Sequence, residues 1–151
     1  MQANGSHNDA FYPKVAGLKS ALPEYQVAWQ INKSFDIQLG LNLDWMKPLP
    51  EDKISIHRHY YCYFEDVELH WHLIKNKGDM AYFLQSNPVF DYLLICQGED
   101  LYNYYERAVQ SIQEQSKIEH VFNIPFQKIP SKNLFFDNFL NTKKFQEALY
   151  V

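Results

Sequence analysis

Two alternating segments in the middle of the chain constrain its fold more than any other feature of the sequence. Residues 53–64 and 67–75 place apolar side chains at every second position, with Glu65 and Asp66 between them. A period of two is typical of strands that bury one face, and the short separation predicts an antiparallel hairpin with a tight turn. The residues that must share the core face of this hairpin are Tyr60, Cys62, Phe64, Leu69, Trp71 and Leu73.

Other strands are predicted from alternating or continuous apolar runs. The run at 90–96 is almost wholly apolar, which is typical of a central strand covered on both faces. Pro48 and Pro50 predict a loop after the alternating segment 37–43. The further strands expected are 12–18, 37–43, 81–84, 90–96 and 118–124, the last with Ile118, His120, Phe122 and Ile124 on one face.

Two segments change to a helical period. Pro23 suits the first turn of an amphipathic helix over 23–34. Asp100 is the predicted N-cap of a second helix, whose apolar face is formed by Leu101, Tyr104, Tyr105, Ala108, Val109 and Ile112. This order of elements predicts an α+β fold, a mostly antiparallel sheet of about six strands with two main helices packed on it.

The length of 151 residues fits a single domain. Residues 1–9 are polar and predict a flexible N-terminal tail, residues 10–136 form the domain, and 137–151 are a C-terminal extension. The apolar residues of that extension, at spacings that predict a short helix, are Phe139, Leu140, Phe145 and Leu149.

Charge and composition argue against several classes of protein. The net charge is −4 and the 14 basic residues are scattered, which opposes nucleic-acid binding without excluding it. No apolar stretch approaches the roughly 18 residues of a membrane span, and the N-terminus lacks the apolar core of a secretory signal. Cys62 and Cys96 lie in apolar runs and are expected to be buried thiols. We therefore expect a cytoplasmic protein that does not enter a membrane.

Four phrases of the sequence together carry a resemblance to a known family. They are EYQVAWQINK at 24–33, WHLIKNK at 71–77, FDYLLI at 90–95 with Gly98 and Glu99 after it, and SKNLFF at 131–136. Together they resemble a family of uncharacterised bacterial proteins named for an IPExxxVDY motif, over roughly residues 12–136. Asp91 and Tyr92 match that motif, whereas 84–86 read Leu-Gln-Ser in place of Ile-Pro-Glu. The resemblance implies no activity.

Four histidines, two on each strand of the central hairpin, are the most unusual polar feature. His57, His59, His70 and His72 fall on the face opposite to the core, together with Tyr61, Tyr63 and Glu68, and a tight turn places His59 across from His72. Imidazoles with a carboxylate suit zinc. The hypothesis is a zinc site whose ligands are His59, His70, His72 and Glu68. The alternative is an ordinary solvent-facing strand surface of histidine and tyrosine.

A second set of polar residues is expected to be structural or functional. Asp91 lies beside Tyr92 in an apolar strand, so burial would require a hydrogen bond or a charged partner for its carboxylate. We expect it to tie the strand to a loop or to Lys33. Asn32 and Lys33, in the first helix, belong to the same set.

The sequence contains no glycine-rich phosphate loop and no nucleophile elbow. It therefore favours a non-catalytic cytoplasmic domain, without a cofactor, that binds another protein through a surface. One alternative is a metal-binding protein or metal-dependent enzyme that uses the histidine face. Another is an accessory factor in RNA processing or translation, which the acidic charge opposes. The oligomeric state is left open.

Overall fold

The computed structural model describes residues 13–85 and 89–129 together with Phe135 and Asn138. Over these residues the fold is α+β, as the sequence predicts, with a six-stranded antiparallel sheet, two helices and a separate two-stranded ribbon. The expected N-terminal tail lies outside the described residues. The expected C-terminal helix does too, since Asn138 alone of the extension 137–151 is described.

The large sheet has the strand order β2-β5-β6-β7-β1-β8, and β3 pairs with β4 in the ribbon. The strands are β1 (Lys14–Lys19), β2 (Gly40–Leu41), β3 (Trp45–Leu49), β4 (Lys53–His57), β5 (His59–Phe64), β6 (Leu69–Lys75), β7 (Tyr92–Gln97) and β8 (His120–Ile124). The helices are α1 (Glu24–Phe35) and α2 (Tyr104–Gln115), and short 3₁₀ turns span Glu65–Val67 and Phe126–Lys128.

Each face of the large sheet packs against a hydrophobic core. On one face α1 and α2 pack with Val27, Ile31, Ala108 and Ile112 against a core that includes Trp71 and Leu94. On the other face a second core gathers Trp45, Phe83, Phe126 and Phe135 against Ile74, Leu93 and Ile95. The alternate residues of β7 therefore enter different cores, which confirms the prediction of a central strand covered on both sides.

The central hairpin differs from its prediction in two ways. The segment 53–64 divides at Arg58 into β4 and β5, which lie in different sheets. The carbonyl of Arg58 accepts a hydrogen bond from Lys75 N at 2.9 Å. The turn takes four residues, 65–68, because the 3₁₀ turn is followed by Glu68 in a left-handed conformation, with φ 53°. The register therefore shifts by two residues and His59 pairs with Ile74, so its predicted position across from His72 is wrong.

The predicted strand over 37–43 is mostly wrong. Only Gly40 and Leu41 pair with β5. Before Gly40, the side chain of Asn32 takes the place of a neighbouring strand. Its amide donates to Leu39 O at 3.1 Å and accepts from Leu39 N at 2.8 Å. The segment is thus attached to α1.

Two further strand predictions are corrected. The predicted strand over 81–84 is reduced to a single bridge between Lys77 and Tyr82. Conversely, Pro48, predicted to lie in a loop, belongs to β3. A two-stranded ribbon tolerates proline because each strand has one edge that needs no donor.

The second helix begins later than predicted, at Tyr104, after Asn103 in a left-handed conformation. Asp100 still serves its first turn, since its carboxylate accepts hydrogen bonds from Tyr104 N at 2.7 Å and Tyr105 N at 3.0 Å. Leu101 precedes the helix and is 70% exposed, so its predicted place on the core face is wrong.

Candidate functional site

The histidine face of the sheet is buried in the second core. His57, His59 and His72 are each at most 1% exposed, so the alternative of a solvent-facing surface is wrong for them. The imidazoles of His59 and His72 are stacked, with ring centroids 5.1 Å apart and planes 21° from parallel. The Trp45 indole lies against both rings, at 5.0 Å and 5.1 Å. The sequence could not predict this cover because it comes from β3, on the separate ribbon.

The hydrogen bonds of this pair determine which nitrogen carries each proton. His59 Nδ1 lies 2.9 Å from Leu43 O, and a carbonyl only accepts, so His59 donates there. His59 Nε2 is 2.9 Å from His72 Nδ1, so in the neutral pair His72 donates to His59. Burial lowers the pKa of His59 to about 4 and that of His72 well below its ordinary value. Both imidazoles are therefore neutral at pH 7.

His57 attaches the ribbon to the large sheet. Its Nδ1 donates to Lys75 O at 3.0 Å, linking β4 to the end of β6. Gly78 lies against the ring so closely that an added Cβ would be 2.7 Å from His57 Nε2. Burial lowers the pKa of His57. Its role in the structure is to join two sheets.

The four predicted metal ligands are not brought into one site. His59 and His72 bond to each other, whereas His70 Nδ1 lies 2.7 Å from the Tyr61 hydroxyl. Glu68 is exposed in the turn and does not belong to β6. Within 13–85, 89–129, Phe135 and Asn138, no group of three or more His, Cys, Asp or Glu side chains is placed to hold a metal ion. The zinc hypothesis stays a prediction that this geometry does not support.

The other predicted polar residues make structural contacts. Asp91 Oδ2 accepts from Ser20 N at 2.8 Å, and the Tyr92 hydroxyl donates to Leu22 O at 2.6 Å. Both therefore hold the connection between β1 and α1, and burial raises the pKa of Tyr92 to about 12. Lys33 Nζ lies 4.9 Å from the centroid of the Trp29 ring.

A groove opens between α2 and the end of β8, and its lining includes residues of both cores. Its volume is about 870 Å³. The buried or half-buried members of its lining are Pro13, Lys14, Tyr105, Val109, Ile124 and Phe126. The exposed side chains of α2 along its rim are Glu106, Gln110, Gln113 and Glu114. We call this cavity the α2–β8 groove.

Polar contacts in the α2–β8 groove involve both of its walls. The Tyr105 hydroxyl donates to Asn123 Oδ1 at 2.7 Å, which connects the helix to β8. Burial raises the pKa of Tyr105, so its hydroxyl keeps its proton at neutral pH. Lys14, at one end, lies with its Nζ 3.4 Å from Asp100 Oδ2.

The strand beside the groove is at an edge of the sheet. In the described part of the chain β8 pairs with β1 alone. Val121 faces the helical core, whereas His120 and Phe122, which the sequence predicts on one face with Ile118 and Ile124, are exposed. The sequence predicted the helix and the strand but not the groove, because a groove between them depends on strand order.

Comparisons with known proteins add no family. No family model matches the chain, and no curated protein matches it. The resemblance to the IPExxxVDY family therefore stays a prediction. None of the helices in the described residues is long and apolar enough to cross a membrane.

Proposed function

We propose that this chain is a non-catalytic interaction domain that binds an extended segment of another protein in the α2–β8 groove. The observation that carries the proposal is the position of this groove, about 870 Å³ in volume, between a helix and a strand with one described partner. In that geometry a peptide can extend the sheet by bonding its main chain to the edge strand, while its alternate side chains enter the groove.

The composition of β8 supports strand addition. Proteins usually protect edge strands with lysine, proline, bulges or a covering element. The five residues of β8 are His120, Val121, Phe122, Asn123 and Ile124, which include neither lysine nor proline. Phe122 is 42% exposed on this strand. Within the described residues this edge has no such protection and is suited to pair with another chain.

The chemistry of the lining favours binding over catalysis. Its described members include no histidine or cysteine. The two carboxylates, Glu106 and Glu114, are eight positions apart on α2, roughly 12 Å along the helix axis. Although both line the groove, carboxylates that far apart do not act as a coupled acid and base, which must lie close enough to flank one reacting group.

The cysteines support a cytoplasmic location for the proposed interaction. Cys62 and Cys96 are both free thiols, and burial raises the pKa of each. Each pairs across the sheet with Trp71, from opposite sides, so the two are separated by a whole strand. Unpaired thiols of this kind are typical of proteins in a reducing compartment.

The test is selection of peptides from a random library by the full-length chain, followed by affinity measurement with two matched variants. Gln113 and Gln115 are both exposed on α2, but only Gln113 lines the groove. We expect Gln113→Trp to weaken the selected peptides by about tenfold or more, because an indole fills the groove, and Gln115→Trp to leave affinity unchanged. Absence of any selected peptide, or equal affinity for both variants, would contradict the proposal.

A further inference from the structure

We infer, on the basis of the proposed function, the chemistry of the bound segment: cationic side chains, Lys or Arg, alternate with apolar ones. The cationic set lies on the side of α2 and the apolar set lies on the side of Phe122. The alternation follows from strand addition, because side chains of neighbouring strands point in register to the same two faces of a sheet.

The two faces of β8 offer different surroundings to an added strand. Val121 and Asn123 lie on the helical side, where Val121 belongs to the core of α2 and Asn123 bonds to Tyr105. Phe122 and Ile124 lie on the other side, where the Phe122 ring is 5.7 Å from that of Phe90 and Ile124 packs against the second core. An added strand therefore presents every second side chain to the side of α2, which carries Glu106 and Glu114, and the others to the side of Phe122.

Charge selects the residues on the helical side. The charged lining residues of the α2–β8 groove are Glu106, Glu114 and Lys14. The positive charge of Lys14 is balanced by Asp100, with 3.4 Å between Nζ and Oδ2. The two carboxylates of α2 remain, so the lining carries an excess of negative charge and a cationic segment is complementary to it.

Exposed apolar surface selects the residues on the other side. Phe122 is 42% exposed in the middle of β8. A residue directly opposite on an added strand would have its Cβ about 4.5–5.5 Å from that of Phe122. An apolar side chain there would cover the ring, whereas a charged one would lose hydration against it.

The probes are three synthetic peptides measured by fluorescence anisotropy at low ionic strength. One alternates lysine with valine, the second alternates glutamate with valine, and the third has the composition of the first with its lysines and valines in separate blocks. We expect the first to bind the wild-type chain about tenfold more tightly than either of the others. In Glu106→Gln/Glu114→Gln the advantage over the glutamate peptide should fall by about threefold or more.

Matched variants test the apolar side and the main chain. Phe122→Ser should weaken the lysine–valine peptide by about fivefold or more, while Tyr25→Ser, which removes an aromatic ring 61% exposed on α1, leaves it unchanged. Two peptides methylated at alternate main-chain nitrogens, one at the odd positions and one at the even positions, should differ. One should lose binding and the other should keep it. A strand hydrogen-bonds to its neighbour only through every second residue on that side.

The contrary outcomes separate the inference from the proposed function. Equal binding of the lysine and glutamate peptides, both lost in Gln113→Trp, would overturn the cationic pattern and leave the proposed function standing. Failure of all three peptides together with an empty library selection would overturn both. A dimer in sedimentation that Phe122→Ser dissociates would make a second copy of the chain the occupant of β8 and would overturn the inference.

Discussion

Several polar side chains in this molecule form hydrogen bonds with main-chain groups that have no regular helix or strand partner. Asn32 binds both main-chain groups of Leu39. The Ser55 hydroxyl bonds to Ala81 on both main-chain atoms, at 3.2 Å and 3.1 Å. Asn76 goes furthest, since it is fully buried and its side chain makes three hydrogen bonds. Irregular segments can be buried here because single residues satisfy their donors and acceptors.

Replacing Asn76 by alanine should be strongly destabilising. Its amide donates to Leu84 O at 3.0 Å and Phe90 O at 2.8 Å, and it accepts from Leu84 N at 2.8 Å. Each buried group left without a partner costs about 1–3 kcal/mol. We expect Asn76→Ala to lower the free energy of unfolding by about 3 kcal/mol or more in urea titrations.

The matched control for this change is Asn42→Ala. Among the residues that the structure describes, the Asn42 side chain bonds only to the amide of the next residue, Leu43, in an exposed contact. Water can replace that partner, so the expected cost is below about 1 kcal/mol. Similar losses in the two variants would show that the hydrogen bonds of Asn76 are not what holds Leu84 and Phe90 in place.

At the scale of elements, sequence periodicity predicted the helices and strands that carry a complete apolar pattern of their own. It did not predict which strands pair with one another. The helices and the continuous run of β7 were predicted because each carries its own pattern. The division of 53–64 at Arg58 was not, since alternation continues through both strands while their partners change. The exposure of Phe122 was not predicted for the same reason: the residue is apolar, but β8 lies at an edge of the described sheet. The groove required the strand order, which periodicity does not contain.

Two glycines in strands, Gly17 and Gly40, differ in whether the structure leaves room for a side chain. A Cβ on Gly17 in β1 would lie 2.5 Å from the Phe90 ring, whereas a Cβ on Gly40 in β2 would meet nothing within 4 Å. Gly17→Ala must displace that ring, at a cost of about 1–3 kcal/mol in unfolding free energy. Gly40→Ala should be neutral or stabilising by up to about 1 kcal/mol, because alanine restricts the unfolded chain. Equal effects in thermal or urea unfolding would mean that Phe90 yields without cost.

At the scale of the whole molecule, the two cores differ in how they respond to acid. The helical core is apolar, whereas the second core encloses neutral imidazoles and is where the ribbon and residues 76–85 meet the sheet. Protonating a buried imidazole is costly, so the native state resists a proton that the unfolded chain binds readily. The second core therefore makes folding stability dependent on pH.

The sign of this dependence follows from the lowered pKa of His59. In the unfolded chain a histidine takes up a proton below about pH 6.5, whereas in the folded chain His59 does so only near pH 4. Its contribution to stability is complete above pH 6.5 and is lost as the pH falls from 6.5 to about 4. The loss over that range is roughly 3 kcal/mol for His59, and His72 acts in the same direction.

Replacing both imidazoles by phenyl rings should make the free energy of unfolding less dependent on pH. In His59→Phe/His72→Phe the rings still pack against Trp45, but neither residue can bind a proton. The fall in unfolding free energy between pH 7 and pH 4.5, measured by urea titration, should be smaller than in the wild type by roughly 2 kcal/mol or more. Phe83→Leu, which disturbs the same core without removing an imidazole, should lower stability equally at both pH values. An unchanged pH dependence in the double variant would mean that the carboxylates, and not this pair, set the response of the molecule to acid.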